Sequence, residues 1–343
     1  MKSKKPKSVR PYLAITMGDP AGIGPEVILK ALAHPSIWKA CRPLVIGSHH
    51  TMTRAADSLG IPMTISSVAG HHASEGQTSF RRGHLPLIDP FERPIRSFRK
   101  GHPSAVAGEA SVQCIQKAVQ LAQMSCVQGI VTAPINKKAI HLAGHPYPGH
   151  TEMLAALTRT KKFGMMILGG PLKILFVTTH VAIRDLPQSI TIKNVLESIR
   201  LADSGLRKLF HIPRPRIGVA GLNPHAGEEG LFGQEERTAI SPAIKRAKAA
   251  GIRCSGPHPA DTLFGKAVQG EFDGIVAMYH DQGLVALKTV AFGHCVNVTV
   301  GLPLIRTSVD HGTAYDIVGK GKADPTSLIE AISLAARLVT QKH

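Results

Sequence analysis

Short runs of aliphatic and β-branched residues recur along the chain, each closed by glycine, proline or a polar group, and many lead into apolar residues at helical spacing. YLAITM (12–17) predicts a buried strand, and GDPAGIGP predicts a glycine-rich turn with Pro25 in the first turn of a helix. PLVIG (43–47) predicts the next strand and TISSV (64–68) an edge strand, while 70–104, rich in His, Gly, Pro and Arg, reads as an irregular excursion. An amphipathic helix is expected over 105–124 and a strand over 129–133. Further strands are expected over 173–179, 216–221 and 272–278, and a last helix over 327–340. Strand and helix in alternation predict an α/β fold on a parallel sheet covered on both faces. No internal repeat or Gly/Ser linker is visible.

The pattern also places polar chemistry. Three of the expected strands deliver histidines at their carboxyl ends: His180, His225 in NPHAG, and His280. In open α/β sheets ligands bind at that edge. Three imidazoles leave a coordination position open, the mark of a catalytic metal site. The stretch 279–316 holds His280, Asp281, Lys288, Asn297, Arg306, Asp310 and His311 around an apolar VNVTVGLPLI segment, a mixture that suits a cleft. Structural alternatives stand beside this reading: Asp281 as a helix cap, and Asn297 and Arg306 as ordinary hydrogen-bonders. In YPGHTEML, Pro148-Gly149 forces a turn and a helix opens over 150–152 with Thr151 as N-cap. His150 and Thr151 then either meet an anion or merely cap. The turn after the first strand has neither GxGxxG nor GxxxxGK[ST], so a tight βα turn is favoured there over phosphate binding.

Composition narrows the classes. The 343 residues allow one large or two ordinary domains, and 43% hydrophobic content supplies real cores. A net charge of +18 invites a nucleic-acid reading, but only 4% of residues are aromatic and the basic residues are scattered. Such a field also favours anionic small substrates. The opening MKSKKPKSVR has five basic residues and no acid and is expected to be a disordered tail. No run approaches the roughly 20 apolar residues of a membrane helix, and no secretory signal is visible. Five cysteines without a CxxC pair fit a reducing cytoplasm.

ITMGDPAGIGPE, YPGHTEML, GLNPHAGEEGLFGQEE, GPHPADTLF, MYHDQGLVALK and VNVTVGLPLIRTSVDHGTAYDIVGKG together resemble the 4-hydroxythreonine-4-phosphate dehydrogenase family, in order and over nearly the whole chain. The resemblance implies two α/β/α domains around a cleft, like isocitrate and isopropylmalate dehydrogenases, in a homodimer. It divides the chain into the tail 1–10, a first domain of 11–136 plus 284–343 with the NAD loop, and a second of 137–283 with metal ligands and dimer contacts. Divalent-metal ligands, zinc foremost, fall on His180, His225 and His280, the third supplied by the partner subunit. Substrate contacts fall on His150, Thr151, Lys288, Asn297 and Arg306. NAD or NADP contacts fall on Asp310, His311 and Gly312; Asp324 stands where relatives commonly have Asn before Pro. Asp281, Asp261 and Lys288 are the candidates for proton transfer or for orienting ligands.

The implied reaction oxidises 4-phosphooxy-L-threonine and decarboxylates the product to 3-amino-2-oxopropyl phosphate, on the way to pyridoxal phosphate. The alternative within the fold is a D-threonate or D-erythronate 4-phosphate dehydrogenase giving dihydroxyacetone phosphate. Neither a nucleic acid nor a membrane is expected as a partner.

Overall fold

The computed structural model describes residues 10–68, 78–95 and 97–341. The expected basic tail falls almost wholly outside them. The chain forms two compact units, 1–159 with 304–343 and 160–303. Both boundaries lie about 20 residues later than the resemblance implied, so the helix at His150 belongs to the first unit and the VNVTV segment to the second.

The first unit opens with β1 (Tyr12–Thr16), α1 (Gly24–Ala33), α2 (Pro35–Ala40), β2 (Arg42–Ile46), α3 (His49–Leu59), β3 (Thr64–Ser67) and β4 (His84–Ile88). It continues through α4 (Ala105–Gln123), β5 (Gly129–Thr132), α5 (Lys137–Leu142) and α6 (His150–Leu157). The second unit contains β6 (Gly164–Gly169), β7 (Leu172–Phe176), α7 (Leu186–Ser189), α8 (Ile192–Phe210), β8 (Ile217–Ala220) and α9 (Ser241–Ala249). It ends with β9 (Cys254–His258), α10 (Ala260–Val268), β10 (Gly274–Ala277), α11 (His280–Ala291) and β11 (Val296–Val300). β12 (Ile305–Val309) and α12 (Thr326–Thr340) return to the first unit.

The first unit's strands lie in the order β3-β4-β2-β1-β5-β12, and every pair is parallel. β5 and β12 are buried along their whole length, so neither shows the alternation of a half-exposed strand, and β12 carries Arg306, Thr307 and Ser308 into the interior. β4 lies inside the stretch expected to be irregular. TISSV forms the edge strand β3, with Ser and Thr facing out.

The second unit is ordered β11-β6-β7-β10-β8-β9. β6 runs antiparallel to both neighbours, so the sheet is mixed where a purely parallel one was expected. The remaining pairs β7–β10, β10–β8 and β8–β9 are parallel. Parallel strands require crossover connections, which the helices supply. The core beside β7 and β10 gathers Ile174, Phe176, Leu263, Ile275 and Leu287. α11 seats against it through Gly283, where a Cβ would stand 2.7 Å from Phe176 Cε1 and 2.8 Å from Ile174 Cγ2.

Candidate active site

In the first unit, Arg306 is the anion-binding candidate, and it is only 1% exposed. It stands on β12 opposite Ile130 of β5. Its guanidinium leans along the sheet to Thr132, whose hydroxyl accepts from Nε at 3.2 Å and from an NH2 group at 2.7 Å. The lean carries the charge toward the carboxyl edge of the strands. Burial pulls the guanidinium down to about 9, against the opposing pull of Glu152.

α6 begins at His150, with Gly149 as N-cap and no side-chain cap, so Thr151 is a first-turn residue and not the expected cap. His150 is half-exposed as a residue, yet its Nε2 is shut off from solvent without a hydrogen-bond partner. Burial first, then the charge of Arg306, holds this imidazole well below its ordinary value. A neutral imidazole with an orphaned nitrogen, beside a buried cation, is a receptor waiting for a polar ligand.

The loop after β12 holds the expected cofactor residues. Asp310 accepts from Ser327 Oγ at 3.5 Å. His311 Nδ1 donates to the Gly312 carbonyl at 3.0 Å. Its other nitrogen, Nε2, is buried without a hydrogen-bond partner. Gly312 is exposed.

The loop beyond is anchored on the GDPAGIGPE turn. The Tyr315 hydroxyl donates to Asp19 at 2.6 Å, and the Ile23 N–H donates to the Thr313 carbonyl at 3.0 Å. Glu26 accepts from the Ala323 N–H and from Lys30, which also donates to the Gly321 and Ala323 carbonyls. Burial raises Asp19 above the usual carboxylate range, opposed by the bonds from Tyr315 and Ala21. The glycine-rich turn is thus a scaffold for the loop, a role that sequence reasoning did not assign to Asp19, Glu26 or Lys30.

In the second unit the three histidines leave adjacent strands, β7, β10 and β8 in spatial order. The β7–β10 ladder continues past both strands: Val177 and Thr178 N–H groups donate to the Ala277 and Met278 carbonyls. It brings the His180 and His280 rings to 5.9 Å between centroids. Gln282 ties the third strand in, accepting from the Met278 N–H and donating to the Gly221 carbonyl, both at 2.7 Å.

Asp281 does not cap α11, whose N-cap is Tyr279. It accepts from His280 Nδ1 at 2.7 Å. With Nδ1 bonded to a carboxylate, Nε2 is left for another partner, the carboxylate–histidine arrangement of metal ligands. The donor set suits a divalent ion in type. Within the chain, however, no three of the described His, Cys, Asp and Glu residues lie close enough to hold one.

His225 sits in an unusual turn, Pro224–Gly230. His225, Ala226, Gly227, Glu228 and Glu229 all have positive φ, at 53°, 53°, 86°, 42° and 55°. Left-handed backbone costs a non-glycine residue roughly 1–2 kcal/mol. Four such residues together store a sum comparable to a small domain's whole stability. Behind the turn stands Glu236, 5% exposed, in a single wide π-type turn, Glu236–Ile240. Its Oε1 accepts from the Leu222 and Asn223 N–H groups at 2.7 and 2.8 Å, and its Oε2 from Asn223 Nδ2 at 2.9 Å. The acidic run in GLNPHAGEEGLFGQEE was the only sequence signal of it.

Asn297 stands on β11 opposite Ile167, its Oδ1 buried without a partner. Lys288 lies in the last turn of α11, half-buried. Asp261, in the first turn of α10, is exposed and accepts from the Thr262 N–H at 2.9 Å.

Residues 39–335 match the family described as pyridoxal phosphate biosynthetic protein PdxA. The chain is 44% identical over 331 residues to the 4-hydroxythreonine-4-phosphate dehydrogenase of Desulforapulum autotrophicum, with 96% of each covered. It is 46% identical over 333 residues to the D-threonate 4-phosphate dehydrogenase of Cupriavidus necator, covering 97% of this chain and 98% of that one. The crystal structure of a 4-hydroxythreonine-4-phosphate dehydrogenase from Klebsiella pneumoniae matches with a TM-score of 0.87 at 41% identity, over 96% of this chain and 99% of that one. By family match, by identity over nearly its whole length and by fold, the chain belongs to the PdxA family.

Proposed function

We propose that the protein is a divalent-metal-dependent dehydrogenase using NAD or NADP. In this reading it oxidises 4-phosphooxy-L-threonine at its secondary hydroxyl and releases carbon dioxide to give 3-amino-2-oxopropyl phosphate. The observation that carries the reading is the buried Arg306 guanidinium beside the orphaned Nε2 of His150. A cation so deeply desolvated discriminates strongly for an anionic oxygen array.

His180, His225 and His280 are the metal ligands in this reading, with Asp281 orienting His280. When bound, the metal supplies Lewis-acid polarisation of the reacting oxygen, and the nicotinamide accepts the hydride. Arg306, His150 and Thr151 hold the substrate's anionic groups, and Lys288 and Asn297 are further substrate contacts implied by the family resemblance. Lys288, Asp281 and Asp261 are the groups available to move protons. The loop of Asp310, His311 and Gly312 is assigned to the cofactor, with the unpartnered His311 Nε2 offered to one of its polar groups.

A homodimer with a shared metal site accompanies this reading. It is supported by the histidine set left incomplete within one chain and by large apolar side chains exposed on the second unit: Ile183 at 79%, Leu231 at 74% and Phe292 at 80%. No described helix is long and apolar enough to cross a membrane.

The Cupriavidus necator relative favours a second reading, in which a hydroxyl replaces the substrate amine. Steady-state assays with NAD or NADP, a divalent metal and 4-phosphooxy-L-threonine, D-threonate 4-phosphate or D-erythronate 4-phosphate decide between them. The highest kcat/KM on the amino acid is expected. A preference for either sugar acid transfers the assignment to the second reading, and no turnover on any of the three refutes both.

A further inference from the structure

We infer that Glu236 is the positioning residue of the His225 turn: its buried carboxylate locks a left-handed backbone that aims an imidazole at the metal. The inference rests on the metal reading above and adds a residue to it. Short left-handed stretches occur in proteins as single residues, usually glycine or asparagine. Here five consecutive residues adopt that conformation, and only one is glycine. Such a segment persists only where its surroundings over-determine it.

Backbone bonds tie the two ends of the turn. Ala226 N–H donates to the Asn223 carbonyl at 3.1 Å, Leu231 N–H to Glu228 at 3.0 Å and Phe232 N–H to Gly227 at 3.2 Å. What fixes its entry is the Glu236 carboxylate, which gathers the Leu222 and Asn223 N–H groups and the Asn223 side chain. Glu236 also fills the space on the turn's inner side. A Cβ at Gly227 would stand 2.7 Å from its Oε2, and one at Gly221 would stand 3.1 Å from its Oε1. An ionised acceptor bonded to two successive N–H groups is among the stronger constraints a backbone can receive. The wide turn at 236–240 sets this carboxylate under the segment, and such π-type turns recur at functional sites.

The test uses full-length protein with Co²⁺ as the probe. Glu236→Ala is expected to weaken Co²⁺ binding by roughly 10- to 100-fold, the usual effect of losing an outer-shell partner. It should also diminish the visible absorption of bound Co²⁺ and speed amide exchange over residues 222–230. Glu236→Gln keeps one oxygen acceptor but sets an NH2 group against Asn223 Nδ2, so a smaller loss in the same direction is expected. It serves if the alanine variant folds poorly.

The discriminating arm is Ala226→Gly, which relieves one strained position. In the Glu236→Ala background it should recover several-fold of the lost affinity, a rescue that general destabilisation would not give. Wild-type Co²⁺ affinity and exchange in Glu236→Ala would overturn the inference, as would a double variant no better than Glu236→Ala alone. Should wild-type protein bind no Co²⁺, the metal reading fails by itself. The backbone lock is then judged on exchange over 222–230, and unchanged exchange in Glu236→Ala refutes it.

Discussion

Arg306→Lys preserves formal charge and nearly preserves volume, yet two structural facts make it severe. The guanidinium reaches Thr132 through two nitrogens, at 3.2 and 2.7 Å, a fork that an ammonium cannot reproduce. Burial also draws Arg306 from 12.5 to about 9. A lysine starts lower, near 10.4, so the same burial brings it closer to neutrality than the arginine. The variant would hold its charge less securely in a site built for a cation. Losing one charged hydrogen bond costs about 1.5–3 kcal/mol, and partial loss of charge adds to it. The expected fall in kcat/KM for the 4-phosphate substrate is about 2–3 kcal/mol, or roughly 30- to 150-fold. KM for NAD should stay within about twofold, because the cofactor is assigned to the loop after β12. The lysine is charged only below its lowered pKa, so the deficit should shrink toward pH 6 and deepen toward pH 8. Steady-state kinetics across that range provide the assay. A deficit that does not vary with pH would refute the charge argument. Weakened NAD binding with an intact substrate KM would move Arg306 to the cofactor side.

His150 has its pKa depressed by burial and by Arg306, so the unfolded chain binds its proton more tightly. The stability this contributes is complete above about pH 6.5 and is lost as pH falls below it toward the folded value. The wild-type Tm should therefore drop between pH 7 and 5, and His150→Gln should flatten part of that drop; an identical slope in both proteins would contradict it. Tyr315→Phe removes the 2.6 Å bond to buried Asp19. It should raise KM for NAD up to ~10-fold by loosening the loop, with substrate KM unchanged; the opposite split would detach the loop from the cofactor. His180→Ala and His280→Ala variants should each be inactive. Mixed and allowed to exchange subunits, they should regain roughly a quarter of wild-type activity if the metal site is shared across a two-fold interface. No recovery despite verified exchange would place all three ligands in one chain.

Much of the architecture is legible because buried parallel strands are written as uninterrupted aliphatic runs. YLAITM and PLVIG announced β1 and β2, and Pro25 marked the first turn of α1. The strand HLPLI was hidden by its setting of His, Gly, Pro and Arg. GMMILG gave no β signal because it has methionine and glycine where strands prefer branched side chains, and its antiparallel run breaks the expected rhythm. Local rules misplaced two caps for a common reason. The helices at His150 and His280 begin one residue before the capping candidate, and Asp281 spends its acceptor on an imidazole instead of a backbone N–H. Thr132 and Gln282 were invisible because each acts on a partner made near only by folding. Arg306 lies 174 residues from Thr132, and Gly221 lies 61 from Gln282.

The seating of α11 sets a mechanical tolerance for the site. With Phe176 Cε1 and Ile174 Cγ2 already within 2.8 Å of where a Cβ at residue 283 would stand, the gap between helix and sheet is about one hydrogen atom wide. Adding a methyl group there requires these side chains or the first turn of the helix to give way, and a helix that gives way moves outward. His280 and Asp281 share that turn, so they would move together and their mutual bond would survive. The pair is rigid internally and adjustable as a body, so drift at one silent core position would shift the imidazole relative to whatever it ligates without disturbing the carboxylate that orients it. Such a fold can alter its reaction geometry in small steps from the inside, with every residue of the polar site left in place.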